Sequence, residues 1–206
     1  MNRRPYNETV SNKLASNDHP ILDILKRRWS PRAFADRPVD RETLLSLFEA
    51  ARWTQSSTNE QPWRFVIALR GDTAWHESLS SALAPGNAWA KKPPVLGLTV
   101  AKAAFTSNGN PNRVAPYDLG ASMMALTVQA TDMGLYIHQM GGFDVNIARK
   151  VAGVPEGFDP VTMFVLGYLG DPDTLSPDLK SRELAPRVRK PLAEIVFGSH
   201  WTQAAF

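Results

Sequence analysis

Cysteine is absent from the 206 residues. This excludes disulfide bonds, thiolate nucleophiles, and iron–sulfur clusters or zinc sites held by cysteine. Histidine is scarce as well, and its four positions are scattered: His19, His76, His138 and His200. Because no two of these histidines have the spacing of a helical or hairpin pair, we expect no metal site built from protein ligands.

Long apolar runs are also missing. No segment reaches the roughly 18 to 20 apolar residues that cross a bilayer, and the polar start MNRRPYNETVSNKLASND lacks the apolar centre of a signal peptide. We therefore expect a cytoplasmic protein without membrane contact. The chain has no GxGxxG turn either, which argues against a Rossmann site holding a nicotinamide cofactor as a stable ligand.

The charge of the chain is mildly basic, with a net charge of +3 and a pI near 9.3. Basic residues concentrate in KRRWSPR (residues 26–32) and in RVRK (residues 187–190), near opposite ends of the sequence. Neither cluster has the interleaved aromatic residues of a surface that binds single-stranded nucleic acid. The two short clusters suit a phosphate group better than a polyanion, so we expect no nucleic-acid partner.

The hydrophobic pattern predicts mixed helix and strand in one domain, since 43% of the residues are hydrophobic and no linker divides the chain. Helices are predicted over residues 18–28, with Asp18 as the N-cap, and over 40–53, with Asp40 as the N-cap, and further at 73–83, 118–136 and 146–154. Strands are predicted at 64–69, 93–101, 136–143 and 160–170. The helix at 118–136 is apolar on nearly all sides, which is typical of a central helix or a subunit interface. This order fits α+β and α/β folds equally well.

A polar cluster precedes the first strand in SSTNEQPWRFV, residues 56–66. Ser56, Ser57, Thr58 and Asn59 offer more hydrogen-bonding capacity than a linker needs, which indicates a ligand. The alternative is a loop in which serine and asparagine side chains satisfy their own backbone.

Six stretches together resemble the landmarks of the nitroreductase family of flavin-dependent oxidoreductases, over about residues 20 to 197. In chain order they are RRWSPRAF, QSSTNEQPWRF, the asparagine of GNAWA, HQMGGFD, LGYLG and RVRKPLAEIV. The resemblance implies an α+β fold with a central mixed sheet flanked by helices. It also implies an intertwined homodimer with FMN at the subunit interface. Residues 1–206 would then be a single domain, with an N-terminal arm at 1–19 and a C-terminal arm at 171–206 that crosses to the partner.

The resemblance also implies a set of cofactor-binding residues. Arg28 and Ser30 match the family's phosphate and ribityl ligands at the first site, and Arg187 and Arg189 match the second basic pair. Charge-assisted bonds from guanidinium groups suit a phosphate dianion. The neutral serine and asparagine side chains suit the flavin edge, which alternates acceptors with one donor. The opposite subunit would contribute Ser56, Ser57 and Asn59. The full set is Arg27, Arg28, Ser30, Arg32, Ser56, Ser57, Asn59, Asn87, Gln139, Met140, Gly141, Gly142, Arg187 and Arg189.

Two of these residues have catalytic roles in the resemblance. Arg32 matches a basic residue that stabilises the negative charge built at flavin N1 and O2 on reduction. The backbone N–H of Gly141 would bond to N5, where glycine permits close approach. The turn QMGG lacks the acidic residue that some family members carry there, while His138 is expected to be structural rather than an acid. For each arginine, a solvated surface position is the alternative interpretation.

The function implied is hydride transfer from NADH or NADPH through FMN to a small acceptor such as a nitroaromatic or a quinone, with ping-pong kinetics. Two alternatives remain open. A flavoenzyme of the same fold could act on another small molecule as a dehydrogenase, a dehalogenase or a flavin-consuming enzyme, and a flavin-binding protein without turnover is also compatible. The segment that would roof the flavin and select the acceptor is expected at Phe105–Tyr117.

Overall fold

The computed structural model describes residues 12–206, so residues 1–11 of the expected N-terminal arm lie outside the described part. Its helices are α1 (Asp23–Arg27), α2 (Arg41–Arg52), α3 (Thr73–Ser80), α4 (Ala115–Asp132), α5 (Val145–Ala152) and α6 (Pro177–Leu184). Its strands are β1 (Trp63–Leu69), β2 (Val95–Lys102), β3 (Leu135–Met140) and β4 (Phe158–Tyr168). Short 3₁₀ turns cover Ser57–Asn59, Pro85–Lys91, Pro172–Thr174 and Leu192–Glu194. The α+β class is confirmed.

The four strands form one sheet in the order β1-β2-β4-β3. The resemblance implied a mixed sheet, whereas every pairing among the described strands is antiparallel. β2 and β3 run in the same direction, but β4 lies between them and opposes both, so no parallel pair forms. β1 and β3 are consequently the two edges of this sheet, although the segment that follows β1 reaches the turn that follows β3, where Asp144 N donates to Ala82 O at 2.8 Å.

Helices cover both faces of the sheet, and side chains that alternate along each strand divide between the faces. On one face, Val95, Phe164 and Leu166 pack with residues of α2 and α4 such as Leu47 and Leu126. On the other face, the core is formed by Leu79 of α3, Trp89, Ala148 of α5, Leu96, Leu98, Met163 and Val165. Since both faces of β2 are covered, its sequence is a continuous apolar run, as residues 93–101 predicted.

Of the two predicted N-caps, one is confirmed and the other is wrong. Asp40 caps α2 as expected, and its carboxylate accepts a hydrogen bond from the backbone N–H of Thr43 at 2.8 Å. Asp18 is not an N-cap, because α1 begins only at Asp23, after Leu22. Pro20 explains the difference, since proline disfavours helical backbone at the preceding residue.

The long helix and the tail differ from the sequence expectation in extent. α4 begins three residues earlier than predicted, at Ala115, and ends at Asp132 rather than running to Tyr136. Gly134 has a left-handed φ of 76°, which ends the helical path and leads directly into β3. The tail contains a helix that the polar, proline-rich sequence did not reveal, α6.

Large apolar side chains remain exposed on one protomer. They include Tyr117 on α4, which is 78% exposed, and Met124 on the same helix. In the tail, the exposed residues are Val188, Leu192, Ile195, Trp201 and Phe206. Among residues 12–206, no helix is both long and apolar enough to span a bilayer.

Candidate functional site

A basic pocket brings together the two arginine clusters that lie at opposite ends of the sequence. It is a cavity of about 260 Å³ between the segment after α1 and the segment after α6. Its lining comprises Lys13, Arg28, Trp29, Ser30, Arg32, Arg182, Ala185, Pro186, Arg187 and Arg189. Five of the residues predicted to bind a cofactor therefore meet in one place, within a single protomer.

The positive charge of this pocket is only partly compensated by carboxylates, since Arg182 pairs with Asp178 and Glu183 lies near Lys13 and Arg32. Among the described residues, Arg28, Arg32, Arg187 and Arg189 form no ion pair with an acidic side chain. Burial, followed by the charge of Arg189, lowers the pKa of Arg28. Burial, followed by the charges of Arg28 and Arg189, lowers the pKa of Arg187. An anion in the pocket would relieve this repulsion, so the pocket is suited to a phosphate dianion.

Arg27 is the predicted arginine that does not line the pocket. Its Nε donates a hydrogen bond of 2.7 Å to the carboxylate of Asp23, one turn earlier in α1. Successive helical residues point in different directions, which places Arg28, and not Arg27, towards the cavity.

Arg187 is held in place by the main chain. Its Nη1 donates to the carbonyl oxygens of Lys13 and Lys26 at 3.0 and 2.9 Å. Arg189 differs, because its Nη1 donates only to the carbonyl of the adjacent residue, Val188, at 2.7 Å. Arg187 therefore ties the tail to the N-terminal segment as well as lining the pocket, whereas Arg189 is exposed and available to a ligand.

Two buried charged residues that the sequence analysis missed support the pocket: Lys13 lines it, and Glu183 bonds to the backbone behind Arg32. The carboxylate of Glu183 is fully buried and accepts hydrogen bonds from the backbone N–H groups of Arg32 and Ala33. Lys13 is 4% exposed, its Nζ donates to the carbonyl of Ala185, and it lies 4.9 Å from the centroid of the Trp29 ring. Pro177 and Asp178 in SPDLKSREL would have indicated the start of α6, since proline and acidic residues favour the first helical turn, but they do not indicate the burial of Glu183 in its last turn.

A neutral histidine connects residues 28–33, the arginine segment, to the sheet. The Nδ1 of His138 lies 2.8 Å from the carbonyl oxygen of Pro31, which can only accept, so Nδ1 carries the proton. Burial lowers the pKa of His138 to about 4. Its ring packs at 4.7 Å from Trp89, and the guanidinium of Arg32 lies 6.0 Å from the same indole. A half-buried neutral ring with this partner agrees with a structural role.

The glycine turn after β3 adjoins the predicted asparagine. The Nδ2 of Asn87 donates to the carbonyl of Gly142 at 2.8 Å, and a Cβ added to Gly142 would lie 2.9 Å from that nitrogen. A Cβ added to Gly141 would meet no atom within 4 Å, so its main chain faces open space. Gln139 and both glycines are exposed, but Met140 is buried and can offer a ligand only its main chain.

The polar loop at Ser56–Asn59 uses part of its hydrogen-bonding capacity internally. The Oγ of Ser56 accepts a hydrogen bond from the backbone N–H of Gln61 at 2.9 Å. This bond is of the kind expected if the loop's side chains satisfy their own backbone. The backbone N–H of Ser57 donates to Asp118 of α4 at 3.0 Å. Asn59 is exposed, and among the described residues its side-chain amide makes no hydrogen bond. The amide therefore remains available to a ligand.

The backbone of this loop is left-handed at three residues other than glycine. Thr58, Asn59 and Gln61 have φ values of 51°, 55° and 52°. Such conformations cost energy and persist only where surrounding contacts hold them. Glu60 supplies such contacts, because its carboxylate accepts bonds from Lys102 Nζ, Thr106 N and Thr106 Oγ1 at 2.9, 2.9 and 2.6 Å. These bonds, led by the Thr106 hydroxyl, hold the pKa of Glu60 at about 2.

The expected roof segment is compact in the described chain. After β2 the chain makes a tight turn, in which Phe105 N donates to Asn110 O and Gly109 N donates to Phe105 O, both at 2.9 Å. The bonds from Thr106 to Glu60 fasten this turn to the polar loop, and α4 begins at Ala115, within the expected segment.

One protomer does not bring the polar loop and the basic pocket together. The loop precedes β1, whereas the glycine turn follows β3, and these strands are opposite edges of the sheet. Three strand spacings of about 4.8 Å separate the edges by about 14 Å. The lining of the basic pocket includes none of the residues of the loop. A larger cavity of about 790 Å³ near Phe34, Arg70 and Leu169 contains none of the predicted site residues either.

Comparison with known proteins agrees with these observations. Residues 25–168 match the model described as the nitroreductase family. A solved structure described as an oxidoreductase containing FMN is 33% identical, covers 91% of this chain and 96% of its own, and has a TM-score of 0.85. An uncharacterized 15.4 kDa protein of Mycolicibacterium smegmatis is 34% identical over 67% of this chain and 97% of its own length. An Archaeoglobus fulgidus protein assigned as an NADH dehydrogenase/NAD(P)H nitroreductase is 25% identical, over 79% of this chain and 97% of its own.

Proposed function

Since the chain belongs to the nitroreductase family, we propose that it is an FMN-dependent NAD(P)H oxidoreductase that reduces a small acceptor, such as a nitroaromatic or a quinone, by a ping-pong mechanism. The observation that carries the proposal is the basic pocket, in which two distant arginine clusters meet and, within residues 12–206, Arg28, Arg187 and Arg189 form no ion pair with a carboxylate. The similar structure described as containing FMN supports the choice of cofactor.

The residues of the pocket fit the phosphate group of FMN. In the part of the chain that the structure describes, the guanidinium groups of Arg28 and Arg189 have no carboxylate partner, and the Ser30 hydroxyl lies 3.5 Å from Arg28 Nη1. Because burial and mutual repulsion lower the pKa of Arg28, a dianion between these groups removes an unfavourable interaction as well as adding hydrogen bonds. Arg187 keeps the two chain segments that form the pocket together.

The remaining predicted residues fit the flavin ring system. Bound FMN supplies hydride transfer at its N5 atom. Gly141 offers a main chain with open space before it, and Arg32 offers a fixed positive charge on the segment that His138 and Glu183 anchor. We propose that the guanidinium of Arg32 stabilises negative charge on the reduced ring, and that the Gly141 N–H donates to N5. No side chain serves as a nucleophile in this proposal.

A complete site requires a second copy of the chain in this proposal. The Asn59 amide and the basic pocket belong to opposite edges of the sheet, so the loop of one protomer would complete the pocket of another. The exposed apolar side chains of α4 and of the tail would be buried by such an association, because monomers rarely expose extended apolar surface. We propose a homodimer in which the C-terminal arm crosses to the partner.

The spectrum and the turnover of the purified protein test the proposal. We expect a yellow protein with about one FMN per chain, and oxidation of NADH or NADPH that depends on an added nitroaromatic or quinone under anaerobic conditions. A colourless protein that does not bind added FMN would contradict the proposal. Bound FMN without oxidation of either nicotinamide would instead favour a flavin-binding protein without turnover.

A further inference from the structure

Glu183 is the acidic residue whose carboxylate bonds to the arginine segment of the basic pocket. Both of its oxygens accept from the backbone N–H of Arg32, at 3.0 and 2.9 Å, and Oε1 also accepts from Ala33 N at 3.1 Å. We propose that Glu183 is a positioning residue that sets the orientation of the arginine segment, whose side chains bind the phosphate. The inference rests on the proposed function, since it concerns how the pocket accepts the phosphate of FMN.

The geometry of these hydrogen bonds fixes the orientation of the backbone at Arg32 and Ala33. Two consecutive backbone N–H groups point inwards at one carboxylate, so these donors are not available to a ligand. His138 bonds the carbonyl of Pro31, so the C=O group and the N–H group of the Pro31–Arg32 peptide are both held. A ligand in the pocket therefore cannot use the N–H groups of Arg32 and Ala33, and the anchored backbone determines where the side chains of Ser30 and Arg32 project.

Burying this carboxylate costs free energy, which indicates that its hydrogen bonds to the arginine segment have a role beyond packing. Moving an ionised carboxylate out of water is unfavourable unless hydrogen bonds and nearby cations compensate. Glu183 has 0% exposure, and burial raises its pKa, while the two N–H groups and the charges of Arg32 and Lys13 act in the opposite direction. The other helix residues of α6 that carry charge, such as Asp178 and Lys180, pair at the surface. Packing of α6 alone would be served by an apolar side chain at position 183.

The test compares FMN with riboflavin, because riboflavin has the same ring system but lacks the phosphate. The variants are Glu183→Gln, which replaces one acceptor oxygen by a donor, and Glu183→Asp, which keeps the charge but shortens the reach. The control is Asp173→Asn, which removes an exposed carboxylate that pairs with Lys180 of α6 at 2.7 Å. For each apoprotein, thermal unfolding and the dissociation constants of both ligands are measured.

We expect both Glu183 variants to lower the ratio of FMN affinity to riboflavin affinity by about tenfold or more, since a displaced segment loses charge-assisted bonds to phosphate. Asp173→Asn should keep the wild-type ratio. An unchanged or increased ratio in both Glu183 variants would overturn the inference. A wild-type ratio in Glu183→Asp alone would also overturn it, because the charge of the carboxylate, and not its exact position, would then be sufficient. If Glu183→Gln does not fold, the ratio for Glu183→Asp decides. A wild-type protein that binds neither flavin would overturn the proposed function itself.

Discussion

Two arginines of the same tail should respond differently to the same substitution. Arg189→Gln should weaken FMN binding without lowering the stability of the apoprotein, whereas Arg187→Gln should lower both. The contrast follows from their partners, because Arg187 donates to the carbonyls of Lys13 and Lys26 while Arg189 donates only to its neighbour Val188. The charge of Arg189 also acts unfavourably on Arg28 and Arg187, so its removal relieves repulsion in the apoprotein.

The expected magnitudes come from charge-assisted hydrogen bonds, each of which contributes about 1.5 to 3 kcal/mol. Loss of one such bond to phosphate weakens FMN affinity about ten- to a hundredfold in Arg189→Gln. In Arg187→Gln, two such bonds to main-chain carbonyls are lost, so the free energy of unfolding of the apoprotein should fall by about 3 to 6 kcal/mol, less the repulsion with Arg28 and Arg189 that the substitution relieves. The wild-type lengths of these bonds, 3.0 and 2.9 Å, are those of well-formed hydrogen bonds.

Fluorescence titration of the apoproteins with FMN at fixed ionic strength measures the affinity, and denaturant unfolding measures the stability. Ionic strength must be constant, because salt screens the exposed guanidinium of Arg189. FMN affinity of Arg189→Gln within twofold of wild type would refute the placement of the phosphate in this pocket. Equal loss of apoprotein stability in both variants would refute the division of roles between the two arginines.

The glycine turn offers a second matched pair: Gly142→Ala should lower both the apoprotein melting temperature and flavin affinity, because its Cβ meets the Asn87 amide at 2.9 Å. Gly141→Ala should lower flavin affinity alone, and reduced stability of that apoprotein would contradict the open space described before it. The low pKa of His138, about 4 against an ordinary 6.5, means that the folded protein binds the proton more weakly than the unfolded chain. The free energy of unfolding should therefore fall as the pH decreases from about 6.5 to about 4, and His138→Gln should flatten that dependence in denaturant titrations across this range. Sedimentation at low micromolar concentration should show FMN absorbance moving with a dimer, and a stable monomer that retains FMN would contradict the shared site.

The elements that the sequence predicted best have strong local causes. Asp40 was recognisable as a cap because its partner, Thr43, lies only three positions away. The strand at residues 93–101 was recognisable because both sides of β2 are covered, which requires an unbroken apolar run. The predicted N-cap at Asp18 was wrong, because Pro20 disfavours helical backbone at the residue before it and the helix begins only at Asp23.

The sequence indicated residues that line the basic pocket but not the residues that support it. The arginine clusters were visible as charge, and the basic pocket does bring Arg28, Ser30, Arg32, Arg187 and Arg189 together. Glu183 was not visible, because its bonds to residues 32 and 33 span about 150 positions and no local pattern encodes them. The antiparallel pairing was equally hidden, since strand order depends on β4 inserting between β2 and β3.

The left-handed loop before β1 has a consequence for engineering the protein. Glycine adopts the φ values of Thr58, Asn59 and Gln61 without the penalty that side chains incur, which is of order 1 kcal/mol per residue. A library screened only for heat resistance would therefore favour glycine at these positions. Glycine at position 59 would also delete the amide that the proposed function assigns to the flavin. Screening for thermostability and screening for flavin retention should consequently select opposite residues at position 59, within a loop of the same backbone shape.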